Sequence, residues 1–179
     1  MSSGSSDGWS THLCIENATS DGVHVWPTAR NVWLHHLSLS NVDDELLGID
    51  GPTVTVSWCH LRDNGYATLV GGAAMPYPDL FVTFHHNHFS DNRERHPRTR
   101  GRVHFYNNFV RFTGSGGRVS QNGHLLSERN IYVASAGGPA LLSRTGGAVT
   151  VPGNYRPFED RLGGGATLDP SHDPTGVFD

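Results

Sequence analysis

The stretch "VTFHHNHFSDNRERHPRTRGRVHFYNN", Val82 to Asn108, contains one phrase twice. "VTFHHN" from Val82 and "VHFYNN" from Val103 start 21 residues apart, and each carries apolar first and third residues and an asparagine at the sixth. Working outward, the same phrase recurs as "VWLHHLSL" from Val32, "VTVSWCHL" from Val54, "LLSERNIY" from Leu125 and "VTVPGNYR" from Val149. "LCIENATS" from Leu13 aligns as an earlier copy. Successive starts from Val32 are separated by 22, 28, 21, 22 and 24 residues. Alternating apolar residues are the mark of a strand with one buried face, and a fixed period of this size marks a repeat architecture.

The period is too short for two helices, and Gly, Asn, Thr and Val dominate where a helical repeat would use Ala, Glu and Lys. The expected fold is therefore all-β, a right-handed parallel β-helix of about six or seven coils. The sixth position reads Leu37, Cys59, Asn87, Asn108, Asn130, Asn154. Asparagine amides stacked on consecutive coils can hydrogen-bond along the column. Neighbouring coils lie about 4.8 Å apart, so Cys14 and Cys59, two coils apart, are about 9.6 Å from each other on this arithmetic and form no disulfide. Cys59 is expected in the core.

Segments ahead of each start also align: "DGVHV" from Asp21, "DELLGI" from Asp44, "YATLV" from Tyr66, "RHPRTR" from Arg95 and "GGRVS" from Gly116. They predict a second parallel sheet, with Asp21, Asp44, Tyr66 and Arg95 along one rim. The longest spacing adds a loop, "GGAAMPYPDL", beside that rim.

The 179 residues carry 13 Lys plus Arg against 17 Asp plus Glu, and every one of the 13 is arginine. Five of them, Arg93, Arg95, Arg98, Arg100 and Arg102, fall within ten residues of a chain whose net charge is -4. A weakly acidic whole argues against nucleic acid as partner. A local arginine cluster suits an anionic ligand, since each guanidinium can grip a carboxylate through two hydrogen bonds. No run reaches 18 consecutive apolar residues, so no membrane-spanning helix is expected. Residues 1–12 read as a leader or irregular cap, 13–156 as the β-helix, and 157–179 as an irregular tail packed over the coils.

The central stretch is similar to the pectate lyases of the pectin-degrading β-helix superfamily, whose pattern runs V-T-x-H-H-N, R-x-P-x-x-R, then V-H-x-Y-N-N. "NVWLHH" resembles the family's V-W-x-D-H segment, with His35 in place of Asp. "VTVSWC" and "TGSGGRVSQNGHLLSERN" resemble family segments in the same order. The resemblance covers roughly residues 13 to 156 and implies a secreted polysaccharide lyase that cleaves polygalacturonate by β-elimination with calcium assistance. It implies Arg95 as the base that removes the carbon 5 proton, and Arg100 as a ligand of a substrate carboxylate, with Arg98 beside them. Asp21 and Asp44 match two calcium ligands; the other two matching positions hold Thr19 and Gly48, leaving Asp43, Glu45 or substrate carboxylates to complete the shell. A family lysine falls at Tyr66, read here as a substrate-binding aromatic. A family arginine falls at Ser120, with Arg118 on the same strand face as its replacement. The resemblance begins late, so the family's first coils and helical cap are expected to be missing; the expected state is a monomer whose open strand edges leave room for end-to-end association.

Two other functions compete: a pectin lyase acting on methylated substrate, and a non-catalytic β-helix that binds polyuronate or serves as a scaffold. Among the 12 histidines, the pairs His35–His36 and His85–His86 raise a zinc site. Alternation along a strand would point the two rings of a pair to opposite faces, which argues against it.

Overall fold

The computed structural model describes residues 7–72, 79–134, 142–145, 148–150 and 162–163. Six of the repeat starts lie on one row of a parallel sheet: Val32 pairs with Val54, Val54 with Val82, Val82 with Val103, Val103 with Leu125 and Leu125 with Val149. The repeat in the sequence is thus the coil of a β-solenoid. Asn154, most of "GGAAMPYPDL", the tail from 164 onward and residues 1–6 lie outside the described residues.

Each coil carries three strands, where two were expected. Among the described residues the three parallel sheets hold seven, six and seven strands. The eight-residue phrase contains two of the three. In "VTFHHNHF" the strand Phe81–His85 belongs to the first sheet and His88–Asn92 to the second, with a corner between them. The rim segments form the third sheet, from Val23–Val25 through Glu45–Ile49, Tyr66–Val70, Arg98–Thr99 and Gly117–Ser120.

The corner has a backbone signature. His36, Trp58, His86, Asn107 and Arg129 all adopt left-handed conformations, with φ between 52° and 56°. Asn107 suits this conformation, but His, Trp and Arg do not favour it, so the following residue must hold the turn. In three coils that residue is a buried asparagine. The Asn108 side-chain oxygen accepts from the Asn87 backbone amide at 2.9 Å, and the Asn130 oxygen accepts from the Asn108 amide at 2.8 Å. At the head of the ladder Cys59 donates its amide to Asn87 (2.9 Å), and its sulfur accepts from the Leu37 amide at 3.4 Å. Both cysteines are free, and burial pushes the Cys59 thiol up to about 11. A second, shorter ladder at the next corner joins Val42, Asn64 and Asn92. Its members are spaced 22 and 28 residues apart, the spacings of the repeat itself, but only two of the three are asparagine.

The left-handed corner also overturns the argument about the histidine pairs. His86 has left the strand, so its ring turns back beside His85, with the Nδ1 atoms 2.9 Å apart. His35 and His36 are likewise edge to face, with centroids 4.0 Å apart. Trp58 lies stacked between His36 and His86.

One boundary and one repeat assignment move. Asp7–Thr11, assigned to the leader, is the first strand of the first sheet, with Gly8 on the row of Val32. "LCIE" is correspondingly not a copy of the first-sheet phrase. Cys14 pairs with Ser38 in the second sheet, and the Leu13 carbonyl accepts from the Ser38 amide.

The interior is a stack of side chains from the three sheets. Phe84, Phe89, Phe105 and Phe112 are fully buried, and Phe84 and Phe105 lie 5.8 Å apart on successive coils. Among them sits His96, with no exposed surface; its Nδ1–H donates to the Ser115 carbonyl at 3.1 Å, and Phe89 and Phe112 flank the ring. Burial pushes its pKa down to about 4. The folded protein keeps this ring neutral where the unfolded chain, at about 6.5, would protonate it. The unfolded state then binds more protons between these values, so stability falls as pH drops from about 6.5 to about 4, by about 3 kcal/mol in all. Urea unfolding across that range measures this slope, and His96→Phe, which has no proton to bind, flattens it.

Candidate active site

The site is built on the outer rim of the third sheet, where the chain enters each strand from the second. The register there differs by one residue from the expected one. Val23 pairs with Leu47, and the Gly22 amide donates to the Glu45 carbonyl, which brings Asp21 beside Glu45. Glu45 pairs with Tyr66, and Tyr66 bridges to Glu94. The rim row therefore runs Asp21, Glu45, Tyr66, Glu94, with Asp44 and Arg95 one residue off it.

Arg95 reaches the row by its backbone. Its φ of 68° is left-handed, a conformation that costs an ordinary side chain energy and persists only where the surroundings hold it. The guanidinium lies over the Tyr66 ring, 3.8 Å from its centroid, and Nη1 pairs with the Glu45 carboxylate. Glu45 is only 4% exposed, so this pair is largely shielded from water. Tyr66 was expected to offer its ring to a sugar; instead Arg95 covers one face of it.

The arginine run divides. Arg98 pairs in register with Arg118 on the next coil, while the Arg100 Nη1 donates to the Gly71 carbonyl at 3.2 Å. The Nε atoms of Arg98 and Arg100 are buried and have no partner among the described residues. Burial, reinforced by Arg98, Arg100 and Arg118, pushes the Arg95 pKa below the usual arginine range, with Asp44 opposing. Burial does the same to Arg98, helped by Arg100 and Arg118. Arg95, Arg98, Arg100 and Arg118 thus form one electrostatic group. Arg93 is exposed, pairs with Glu94, and touches the Tyr66 ring only at 5.7 Å. Arg102 lies over Phe81 on the first sheet, away from this group.

Beside the arginines lie the acids. Carboxylate oxygens of Asp21, Asp44 and Glu45 all fall within 4.8 Å of one another, and among the described residues this is the one such group of three or more potential ligands. Calcium takes oxygen donors at about 2.3–2.6 Å, so one ion can touch all three. Hard, anionic oxygens at this spacing fit calcium. The Glu45 amide donates to Asp21 Oδ1 at 3.3 Å, which ties the two acids together.

His24 and Asp50 complete this corner and were not singled out in the sequence. The His24 ring bridges two carboxylates, with Nδ1 at 2.6 Å from Asp21 and Nε2 at 3.1 Å from Asp50, while the Gly72 amide donates to Asp50. Gly48 makes this possible. A Cβ there would stand 2.5 Å from Asp21 Oδ2 and 2.9 Å from His24 Nδ1. Any side chain at position 48 would have to displace this bridge, and the glycine there supplies no carboxylate. Thr19 is exposed and adds no carboxylate.

A three-sheet parallel solenoid with an acidic trio and an arginine group on one rim defines a class of protein, the parallel β-helix with a charged rim. Residues 16–167 match the family model described as pectate lyase. The chain belongs to the pectate lyase family. It is 33% identical over 102 residues to the pectate trisaccharide-lyase of Thermotoga maritima, covering 51% of this chain and 28% of that protein. It is 35% identical over 119 residues to pectate lyase B of Dickeya chrysanthemi, covering 57% and 32%. Among solved structures, pectate lyase from Acidovorax avenae subsp. citrulli superposes with a TM-score of 0.67 at 23% identity, over 90% of this chain and 49% of that one. Pectate lyase C from Erwinia chrysanthemi, solved with Ca2+, superposes at 0.59 and 24% identity, over 82% and 50%. The structural likenesses establish the fold. The chain spans about a third of the length of these curated relatives.

Proposed function

We propose that the protein is a secreted pectate lyase that cleaves polygalacturonate by β-elimination, with Arg95 as the base and calcium as cofactor. One observation carries this reading. A left-handed arginine is held beside three clustered carboxylates, in a group of guanidiniums that burial and like charge push toward the neutral form.

Asp21, Asp44 and Glu45 would hold the ion, whose contribution when bound is to withdraw charge from the substrate carboxylate and so acidify the adjacent carbon 5 proton. Arg98, Arg100 and Arg118 bind uronate carboxylates through charge-assisted hydrogen bonds. Arg95, in its neutral form, takes the carbon 5 proton. The released electron pair forms the double bond between carbons 4 and 5, the bond from carbon 4 to the glycosidic oxygen breaks, and that oxygen takes a proton from solvent. A guanidinium is ordinarily too basic for this task, so the downward push on Arg95 is what makes it usable. An acidic trio and four arginines suit a charged polymer better than a methylated one.

Absorbance of the unsaturated product from polygalacturonate at alkaline pH tests the reading. Product is expected with calcium and lost with chelator. Product from methylated pectin alone would transfer the assignment to a pectin lyase. Polymer binding without product would leave a non-catalytic binding module.

A further inference from the structure

Glu45 lies where two kinds of cation converge. One of its oxygens is on Arg95, and a carboxylate oxygen of the same side chain lies within 4.8 Å of carboxylate oxygens of both Asp21 and Asp44. The side chain is buried, and its backbone amide is tied to Asp21, so Glu45 is held between the two partners. Resting on the calcium reading above, we propose that Glu45 is a latch shared between the metal and Arg95: calcium bound by the acidic trio draws on the carboxylate that holds the guanidinium, and so frees Arg95 for substrate.

The physical basis is competition for one negative charge. A carboxylate can accept from two sides at once, but a dication among the three acids takes up most of the field that otherwise holds the arginine, and also repels it. The pair and the ion are therefore negatively coupled, and coupling between two sites is reciprocal. Whatever calcium does to the Arg95–Glu45 pair, removing the Arg95 charge must do to calcium. Arg95 has somewhere to go when released, because the Tyr66 ring already supports its guanidinium at 3.8 Å. Arg98, Arg100 and Arg118, all of one sign, repel it from the other side and oppose its protonated form. The latch keeps Arg95 paired until the cofactor is in place. It uses an acid that does not fall on the family's matching ligand positions, while Gly48, which does, holds none.

Calorimetric titration of calcium alone, without substrate, tests the latch. Arg95→Gln is expected to bind calcium more tightly than the unsubstituted protein, by at least fivefold within the usual range of about 5- to 150-fold for such couplings. Glu45→Gln is expected to bind it at least tenfold more weakly, and adding Arg95→Gln to that variant gains much less than the same change gains in the unsubstituted protein. Arg102→Gln, which removes one positive charge away from the trio, leaves affinity unchanged and controls for net charge. Calcium-dependent rises in melting temperature should follow the same order and show that each variant is folded. If the unsubstituted protein binds no calcium, the calcium reading falls and the latch with it. If it binds calcium and Arg95→Gln binds it equally or more weakly, the latch alone is overturned.

Discussion

Changing Arg95 to alanine lowers the rate of unsaturated-product formation by about 10²–10⁴-fold, the usual contribution of a general base. The loss should appear in kcat, because on the proposed reading polymer binding rests on Arg98, Arg100 and Arg118, which the substitution leaves in place. The substitution also leaves the Glu45 carboxylate without its cationic partner in a nearly dry position, which costs stability by itself. Arg95→Ala combined with Glu45→Gln separates the two effects. The double variant should recover melting temperature, since a neutral amide tolerates the site better than a lone charge, and it should recover no activity. An Arg95→Ala protein that is folded, binds polygalacturonate and turns over at the original rate would show that the proton leaves carbon 5 for another group.

The second large effect is on stability. Asn108 sits in the middle of the ladder. Its side-chain oxygen accepts from the Asn87 backbone amide at 2.9 Å and from the Asn87 side-chain amide at 3.0 Å, and its own Nδ2 donates to the Phe84 carbonyl at 3.1 Å. Asn108→Ala removes these three, together with the bond from Nδ2 to the Asn130 side-chain oxygen at 3.0 Å, and leaves the Asn87 amide without its acceptor at a left-handed corner. Unsatisfied buried groups cost about 1–3 kcal/mol each, so the expected loss is about 3–5 kcal/mol by denaturant unfolding, a large fraction of the stability of a domain this size. Cys59→Ala should cost less. The Cys59 sulfur makes only weak hydrogen bonds at the head of the ladder, and Asn87 continues to hold its backbone. Equal losses from the two substitutions would mean that the corner is held by its packing and not by the asparagine amides.

The coil was legible because it is periodic. Six repeat starts, from Val32 to Val149, fall on one row of the first sheet, and a strict two-residue alternation leaves little freedom in which face each side chain takes. The third strand per coil was missed because it is short and follows the corner directly; "HF" and "FV" after the asparagines read as the end of one strand. The left-handed corners were missed for a related reason. Histidine and tryptophan do not announce positive φ as glycine does, and that error made the His85–His86 pair look divided when the rings touch.

The site was legible where it depends on side-chain chemistry and less so where it depends on register. The neighbourhood of Asp21 and Asp44 follows from the coil spacing, while the grouping of Arg95, Arg98, Arg100 and Arg118 was implied by the family resemblance. Glu45 displaced Asp44 from the rim row because the third-sheet pairing is offset by one residue, which moves every side chain to the other face. His24 and Asp50 carry no motif; their roles follow from the empty Cβ position at Gly48, which is a three-dimensional fact. The available sequence signal for Glu45 was an acid at the start of a strand otherwise made of buried residues.

The most direct measurement is the chemical structure of the chain ends made from polygalacturonate in the presence of calcium, read by mass spectrometry and proton NMR. Arginine-based β-elimination predicts a double bond between carbons 4 and 5 at each new non-reducing end, with no water incorporated. Saturated ends carrying oxygen from solvent would indicate hydrolysis, and an intact polymer would indicate no cleavage; either result would contradict the assignment of this site to a lyase.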